Sequence, residues 1–292
     1  MKCLLIINPR SGKMKIQNEL VYVIQLLNEY GYEVVVEITR YHNHAIELVK
    51  SASYFDLIIC SGGDGTLNQV VSGLIESGKT TRIGYIPSGS TNDYANTLGL
   101  AFDIQEATKN IINGRVHSLD VGMANTDHYF NYVASFGLFT SASYNTPQIN
   151  KNILGKTAYI LNGLSDLTNI KTYHIKGKTP TQEFEGAYLL GFVLNTTSIA
   201  GLVKLDPQMV DLSDGLFEVL LVKKPKDMID RGQLVEGLLN RDYSNPAFTF
   251  LKTNQIKLQL DNEISWSLDG EEVKLGKEVN IQNLQERLSL IF

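Results

Sequence analysis

The chain has 292 residues, 43% of them hydrophobic and 20% charged, an ordinary composition for a globular protein with one or two cores. The net charge is −5 and neither part of the chain is basic, which argues against nucleic-acid binding. Two cysteines argue against a disulfide framework, and no apolar run suits a signal peptide or a membrane-spanning helix. We therefore expect a cytoplasmic protein, with any membrane contact peripheral.

Residues 1–122 alternate between apolar strands and amphipathic helices. Alternation of this kind is typical of a parallel sheet covered by helices. It predicts a three-layer α/β domain over residues 1–122. The strands are expected at Lys2–Ile7, Glu33–Thr39, Asp56–Cys60, Arg82–Ile86 and Ser118–Ala124, and the helices at about 14–29, 43–52, 66–77, 91–98 and 103–113.

After residue 122 the pattern changes to segments in which apolar and polar residues alternate, as in antiparallel strands. It predicts an antiparallel β-sandwich over residues 123–283, interrupted by one helix near 152–169. The apolar terminal segment, 284–292, is expected to pack back on the first domain. The strands are expected at Tyr129–Ala134, Tyr173–Ile175, Tyr188–Leu194, Phe217–Val222, Ile256–Leu260 and Ile264–Leu268.

Three polar turns with glycine follow strands of the first domain. They begin at Asn8, Gly62 and Ser88, and each precedes a predicted helix. Such turns present backbone N–H groups and a helix N-terminus to phosphate, and parallel strands collect them at one edge of the sheet. A single turn of this kind can merely connect a strand to a helix, whereas three together indicate a nucleotide site. Asp64 would repel a bare phosphate, which implies a metal ion or a hydroxyl to be activated.

These turns carry a family resemblance. Asn8-Pro9-x-Ser11-Gly12, Gly62-Gly63-Asp64-Gly65-Thr66-x-Asn68 and Pro87-x-Gly89-x-Thr91-Asn92-Asp93 resemble the nucleotide motifs of the bacterial diacylglycerol kinase-like lipid kinases. That family is related to sphingosine and ceramide kinases and distantly to NAD kinases. The resemblance covers the whole chain. It implies an ATP-dependent, Mg²⁺-requiring kinase acting on a lipid hydroxyl, with diacylglycerol as the expected acceptor and the active site in an interdomain cleft.

The resemblance also assigns roles to residues of the first domain. Thr39 is among the nucleotide contacts, with a helix cap as its alternative. Asp64 is also catalytic, and Asp64, Asp93 and Asp120 form a carboxylate network that a Mg²⁺ ion would keep ionised. The nucleotide-binding residues are Asn8, Ser11, Gly12, Thr39, Gly62, Gly63, Asp64, Gly65, Thr66, Asn68, Gly89, Thr91 and Asn92.

Two acidic turns of the second domain are further candidates. Asp269-Gly270-Glu271 reads as an ordinary hairpin turn, but the resemblance makes Glu271 the catalytic residue that orients the lipid hydroxyl and accepts its proton late in the transfer. The segment from Asp211 to Leu216 also reads as a turn. The resemblance implies a structural Mg²⁺ there, held by the side chains of Asp211 and Asp214 and the carbonyl of Leu216.

Some features leave alternatives open. The family usually has a glycine run near 199–202, where this chain has Ile199-Ala200-Gly201-Leu202. Five lysines lie between residues 150 and 178, and this segment either docks on anionic lipid or has solvated lysines above a core. The alternative functions are an NAD kinase-like enzyme and a non-catalytic nucleotide- or lipid-binding regulator. The oligomeric state is open, and a homodimer is one of the allowed states.

Overall fold

The computed structural model describes residues 1–11, 15–137, 171–199 and 203–292. The chain divides into two compact units, one formed by Met1–Val121 with Gln285–Phe292 and the other by Gly122–Leu284. The helix predicted near 152–169 lies outside the described residues. Within the described ranges, no helix is both long enough and apolar enough to cross a membrane.

The first unit is built on a parallel sheet. Its strands lie in the order β17-β4-β3-β1-β2, and every neighbouring pair is parallel. Leu290 and Ile291 pair with Ile83 and Gly84 of β4, and β17 also pairs with the strand β5, Val116–Ala124, so the C-terminal residues lie between β4 and β5. The strands are β1 (Lys2–Ile7), β2 (Glu33–Ile38), β3 (Leu57–Gly62), β4 (Arg82–Pro87) and the end of β17 (Glu278–Ile291).

Helices cover both faces of this sheet, because successive side chains of a strand point to opposite sides. Cys3, Leu5 and Ile7 of β1 join one core with apolar residues of the first and fifth helices, while Leu4 and Ile6 are buried on the other face. The second and third helices pack against each other. The predicted α/β architecture of this unit is confirmed. Its helices are α1 (Lys15–Glu29), α2 (His44–Ser51), α3 (Asp64–Glu76), α4 (Asp93–Leu98) and α5 (Ile104–Asn113).

The second unit is rich in antiparallel strands, as predicted. Its long strand β9 pairs with β7, β8 and β12, and one core surrounds the fully buried Trp266. Its strands are the end of β5 (Val116–Ala124), β6 (His128–Phe130), β7 (Val133–Phe136), β8 (Tyr173–Lys178), β9 (Glu183–Leu194), β10 (Ser198–Ile199), β11 (Val203–Lys204), β12 (Phe217–Lys223), β13 (Phe248–Thr253), β14 (Gln255–Leu260), β15 (Ser265–Leu268), β16 (Glu271–Lys274) and the start of β17.

This unit also contains a helix that the sequence pattern did not predict. Helix α6 (Met228–Asn240) follows β12, and a short 3₁₀ helix lies at Pro207–Met209. The carboxylate of Asp227 caps α6 by accepting hydrogen bonds from the N–H groups of Ile229 and Asp230, both at 2.9 Å. A capped N-terminus stabilises a helix whose apolar periodicity is weak.

Candidate active site

The loops that follow β1, β3 and β4 lie against one another. The Nδ2 of Asn8 donates a hydrogen bond to Oγ1 of Thr66 at 2.9 Å. The N–H of Ser88 donates to the carbonyl of Gly62 at 2.8 Å, and the hydroxyls of Ser11 and Ser88 lie 2.9 Å apart. The structure therefore brings together residues from all three predicted phosphate turns.

Glycines let the second and third loops approach closely. A Cβ built on Gly89 would lie 2.6 Å from the Cα of Gly63, and one built on Gly62 would lie 2.5 Å from the Cβ of Thr66. Gly63 is the N-cap of α3 and supplies no side chain to its first turn. Backbone N–H groups at such a helix start suit an anionic ligand.

The third loop is closed by a side chain. Asn92 is the N-cap of α4 in the left-handed conformation, with φ 49°. Its Oδ1 accepts from the N–H of Gly89 at 2.9 Å, and its Nδ2 donates to the carbonyl of Gly89 at 3.0 Å. This ring of hydrogen bonds sets the path of residues 89–92, and the hydroxyl of Tyr85 adds a longer bond to the same Oδ1 at 3.5 Å.

Asp64 is the first residue of α3, two positions earlier than the predicted helix start. Its Oδ2 accepts a hydrogen bond from the N–H of Asp93 at 2.9 Å, and its carboxylate lies beside the hydroxyl of Tyr85, which donates to Oδ1 of Asn92 at 3.5 Å. Tyr85 is buried, and burial, together with the nearby Asp64 carboxylate, raises its pKa well above the ordinary 10. The phenol therefore stays protonated and remains a hydrogen-bond donor beside Asp64. Sequence reasoning missed Tyr85, because a tyrosine within the apolar strand β4 gave no signal of a polar role.

The predicted carboxylate network is only partly assembled by these contacts. The hydrogen bond between the Asp93 backbone and Asp64 brings those two residues together. Asp120 is buried in β5, where its Oδ1 accepts from the N–H of Glu286 at 2.8 Å. In the residues that the structure describes, no group of three or more His, Cys, Asp or Glu side chains is arranged to hold a metal ion. The metal role of these aspartates stays a prediction.

The other predicted nucleotide residues have varied positions. Thr39 follows β2, and because Asn43 is the N-cap of α2, Thr39 does not cap that helix. The Oδ1 of Asn68 accepts from the hydroxyl of Ser72 at 3.4 Å, and Thr91 is exposed. Gly12 lies outside the described residues. Their contacts with a nucleotide stay predictions.

The second acidic candidate, Glu271, is presented by a tight hairpin. Asp269 and Gly270 have φ of 48° and 91°, the two positive values of a two-residue type I′ turn between β15 and β16. Glu271 is the half-buried first residue of β16 and pairs with Leu268. The ordinary hairpin reading is therefore correct as structure, and the catalytic role of Glu271 is untested by it.

The carboxylate of Asp269 anchors this hairpin. It accepts hydrogen bonds from three successive backbone N–H groups, those of Asn131, Tyr132 and Val133, at 2.6, 3.1 and 3.0 Å. Only 5% of Asp269 is exposed. Charge-assisted bonds of this kind are stronger than neutral ones, so Asp269 holds the turn that carries Glu271. Sequence reasoning treated Asp269 only as a turn residue.

The predicted structural magnesium loop is organised by its own carboxylates. The Oδ1 of Asp211 accepts from the N–H and hydroxyl of Ser213 at 3.0 and 2.8 Å. The Oδ1 of Asp214 accepts from the N–H of Leu216 at 2.8 Å. Both aspartates are exposed, and carboxylate and carbonyl oxygens suit Mg²⁺, which keeps several of its waters. The donor set fits the ion, and its binding stays a prediction.

Comparisons with known proteins agree with this site. Residues 2–124 match the family model of the diacylglycerol kinase catalytic domain. A diacylglycerol kinase from Bacillus subtilis (strain 168) is 32% identical over 271 residues, which cover 91% of this chain and 88% of the relative. One from Staphylococcus epidermidis (strain ATCC 12228 / FDA PCI 1200) is 31% identical, covering 98% and 90%. A solved structure from Bacillus anthracis str. Sterne, assigned to the diacylglycerol kinases, superimposes with a TM-score of 0.81 at 26% identity, covering 100% of this chain and 97% of that one.

These comparisons identify an ATP-dependent kinase that phosphorylates a lipid hydroxyl. The chain belongs to the diacylglycerol kinase family.

The first prediction concerns Tyr85. Tyr85→Phe removes the hydroxyl that lies beside Asp64 and bonds to Asn92, and it leaves the ring in place. Turnover should fall by roughly tenfold or more, because polar contacts with a charged group contribute about 1.5–3 kcal/mol. The measurement is kcat and KM for ATP. The matched control is Tyr54→Phe, since the Tyr54 hydroxyl bonds to Asp56 at 3.1 Å on the surface. Equal turnover in both variants would contradict a role for Tyr85 in placing Asp64.

The second prediction concerns Asp269. Asp269→Ala leaves three N–H groups without their acceptor, and each buried unsatisfied group costs about 1–3 kcal/mol, so the melting temperature should drop by several degrees or more. Asp269→Asn keeps one acceptor oxygen, and its melting temperature should fall less. Asp242→Ala, at an exposed aspartate of the same unit that bonds Ser244, is the control and should change little. Calorimetry of the three variants decides, and equal losses for Asp269→Ala and Asp242→Ala would contradict the anchoring role.

Proposed function

We propose that this kinase transfers the γ-phosphoryl group of ATP to the free hydroxyl of diacylglycerol, forming phosphatidic acid. The observation that carries the proposal is the convergence of the three loops around Asp64, in a chain whose relatives are named diacylglycerol kinases. The identity of the acceptor rests on the names of the relatives, because the loops concern nucleotide binding and do not contact the lipid in this proposal.

The nucleotide phosphates are proposed to lie on the loops of the first unit. Backbone N–H groups at the start of α3 and in residues 88–91 would bind them, since glycines leave room for close approach. The contact between Gly63 and Gly89 supports this assignment, because it makes the two loops one continuous backbone surface. Asn8 and Ser11 would brace that surface, and Thr39 would contact the nucleotide from the end of β2.

A magnesium ion is proposed near Asp64. The backbone N–H of Asp93 donates to the Asp64 carboxylate, which makes the two residues neighbours, and carboxylate oxygens suit an ion that keeps most of its waters. Asp120 completes the proposed set. When bound, the ion would neutralise charge on the β- and γ-phosphates. Tyr85 and the N–H of Asp93 hold the Asp64 carboxylate in one orientation for this task.

Glu271 is proposed to act on the acceptor. The lipid hydroxyl oxygen forms a bond to the γ-phosphorus while the bond from that phosphorus to the bridging oxygen of ADP breaks. The hydroxyl proton passes to the Glu271 carboxylate and then to solvent. Because a carboxylate is a weak base, Glu271 first orients the hydroxyl and receives the proton late in the transfer. The anchored turn at Asp269 supports this role, because it limits the movement of Glu271.

Diacylglycerol is a membrane lipid, so we propose that the protein contacts the bilayer peripherally. The segment 150–178 was one predicted contact, and its first part lies outside the described residues. In the described part, Lys176 and Lys178 form ion pairs with Glu185 and Glu183 at 3.4 and 2.7 Å. These pairs favour the solvated-lysine alternative for β8 and leave the contact surface to be found elsewhere.

Phosphate transfer from γ-labelled ATP to a panel of acceptors tests the function. The panel is diacylglycerol, ceramide, sphingosine and NAD, each with Mg²⁺ and with EDTA. We expect labelled phosphatidic acid from diacylglycerol in the presence of Mg²⁺. Faster transfer to another acceptor would refute the proposed substrate, and equal transfer in EDTA would refute the metal requirement.

The third prediction concerns Glu271. Glu271→Gln keeps the shape of the side chain but cannot accept a proton, so kcat should fall by about 10²–10⁴-fold, the usual contribution of general-base assistance. The KM for ATP should stay within about tenfold, which corresponds to 1.4 kcal/mol.

The matched control for Glu271 is its neighbour. Glu272→Gln makes the same chemical change at the next residue of β16, whose side chain points to the opposite face of the strand. It should leave kcat unchanged. Similar losses in both variants would argue for a charge effect on the hairpin and against proton transfer to Glu271.

The fourth prediction concerns the magnesium loop. If the loop binds Mg²⁺, the parent protein should melt at a higher temperature in Mg²⁺ than in EDTA, because an ion bound only to the folded state stabilises it by linkage, by about 2.7 kcal/mol at a hundred times Kd. Asp214→Ala should lose most of that rise. Asp206→Ala, at an exposed aspartate whose Oδ1 accepts from Gln208, should keep it. The same rise in all three proteins would place the stabilising ion elsewhere.

A further inference from the structure

Helix α6 presents apolar side chains to solvent. Met228, Ile229 and Leu239 are 74%, 72% and 60% exposed. At about 100° per residue they fall on one side of the helix together with Gly232, where an added Cβ would meet no atom within 4 Å. The opposite side packs inward, since Leu234 is buried and a Cβ on Gly237 would lie 2.4 Å from Phe248. We call the exposed side, Met228, Ile229, Gly232 and Leu239, the outer face of α6.

Cationic side chains border this outer face. Residues 223–241 carry five Lys or Arg and three Asp or Glu, a net charge of +2, on a chain whose total is −5. Lys224 and Lys226 are exposed just before the helix. Two of the three acids, Asp227 and Asp230, accept hydrogen bonds from backbone N–H groups at the start of the helix, so Glu236 is the one acid on the outer face.

We propose that the outer face of α6 and its flanking lysines dock the kinase on an anionic phospholipid bilayer. Apolar side chains bordered by cations are the pattern of a helix that lies in the membrane interface, with its apolar side among the acyl chains and its cations at anionic headgroups. The inference rests on the proposed function, because a diacylglycerol acceptor is presented by a bilayer.

A bilayer suits this face better than a second copy of the chain. A stable protein interface buries about 800 Å² on each partner. Helix α6 has 13 residues, about 20 Å in length, and shows three large apolar side chains on that face. A two-fold pair would also bring the same cationic segment of a second copy against this one, and the like charges would repel.

Vesicle binding tests the proposal. Flotation with vesicles of phosphatidylcholine and phosphatidylglycerol compares the parent with Met228→Ser/Ile229→Ser and with Lys224→Glu/Lys226→Glu. We expect the partition coefficient of each variant to fall at least about tenfold, because apolar transfer and anionic attraction are both reduced. The matched control is Val21→Ser/Phe102→Ser, two exposed apolar residues of the first unit, 67% and 48% exposed, which should bind like the parent.

Kinase assays separate docking from catalysis. Met228→Ser/Ile229→Ser should lose activity on diacylglycerol in vesicles and keep the parent activity on a short-chain, water-soluble diacylglycerol. A parent that phosphorylates neither form refutes the proposed function, and its vesicle binding still decides the docking surface. Parent-like vesicle binding by both variants overturns the proposal. So does a dimeric parent that the Met228→Ser/Ile229→Ser change makes monomeric in light scattering, because the face would then bind a second copy.

Discussion

The nucleotide unit depends on the contact between two glycines, Gly63 and Gly89, at the ends of adjacent parallel strands. Their backbones approach so closely that a Cβ on Gly89 would lie 2.6 Å from the Cα of Gly63. Because no side chain separates the two glycines, their backbones lie directly against each other. The hydrogen bonds of Asn8 with Thr66 and of Ser88 with Gly62 then fix the loops relative to the sheet. The phosphate site proposed here would therefore be formed before the nucleotide binds, and little binding energy would be lost in ordering it.

The chain uses the pair Asp-Gly twice, with different consequences. At Asp64-Gly65 the pair begins a helix, and the carboxylate is held at its side by the Tyr85 hydroxyl and the N–H of Asp93. At Asp269-Gly270 it forms a hairpin turn, and the carboxylate is satisfied by three N–H groups from another strand. An aspartate with three such donors serves architecture, because its oxygens are already used. In the proposed mechanism Asp269 therefore anchors the hairpin, and the proton would be accepted by Glu271.

Much of the fold could be predicted because its signals are local. Buried parallel strands are short apolar runs, and the glycine turns after them are recognisable from a few residues. The site was less accessible where its contacts are distant in sequence. Asp269 bonds to Asn131, 138 residues away, and nothing near it distinguishes an anchoring aspartate from an ordinary turn residue. Tyr85 was missed for a related reason, because a tyrosine in an apolar strand reads as core, and only the fold shows that its hydroxyl contacts Asp64. The start of α3 was placed two residues late, because its first turn has no apolar residue to show the helical period.

Helix α6 was missed for a reason that bears on its proposed role. Periodicity identifies a helix when its buried side is apolar and its exposed side is polar. In α6 the inward side offers Leu234 and Gly237, while Met228, Ile229 and Leu239 lie on the outward side, so apolar residues surround the helix and the contrast between the two sides is weak. In water alone such an outer face contributes nothing to folding stability, and the helix is instead supported by its Asp227 cap and its packing on Phe248. On the proposed bilayer, these exposed apolar side chains would be buried among the acyl chains. The exposed apolar residues that weaken the helical periodicity in the sequence are thus the residues that suit the outer face to a lipid surface.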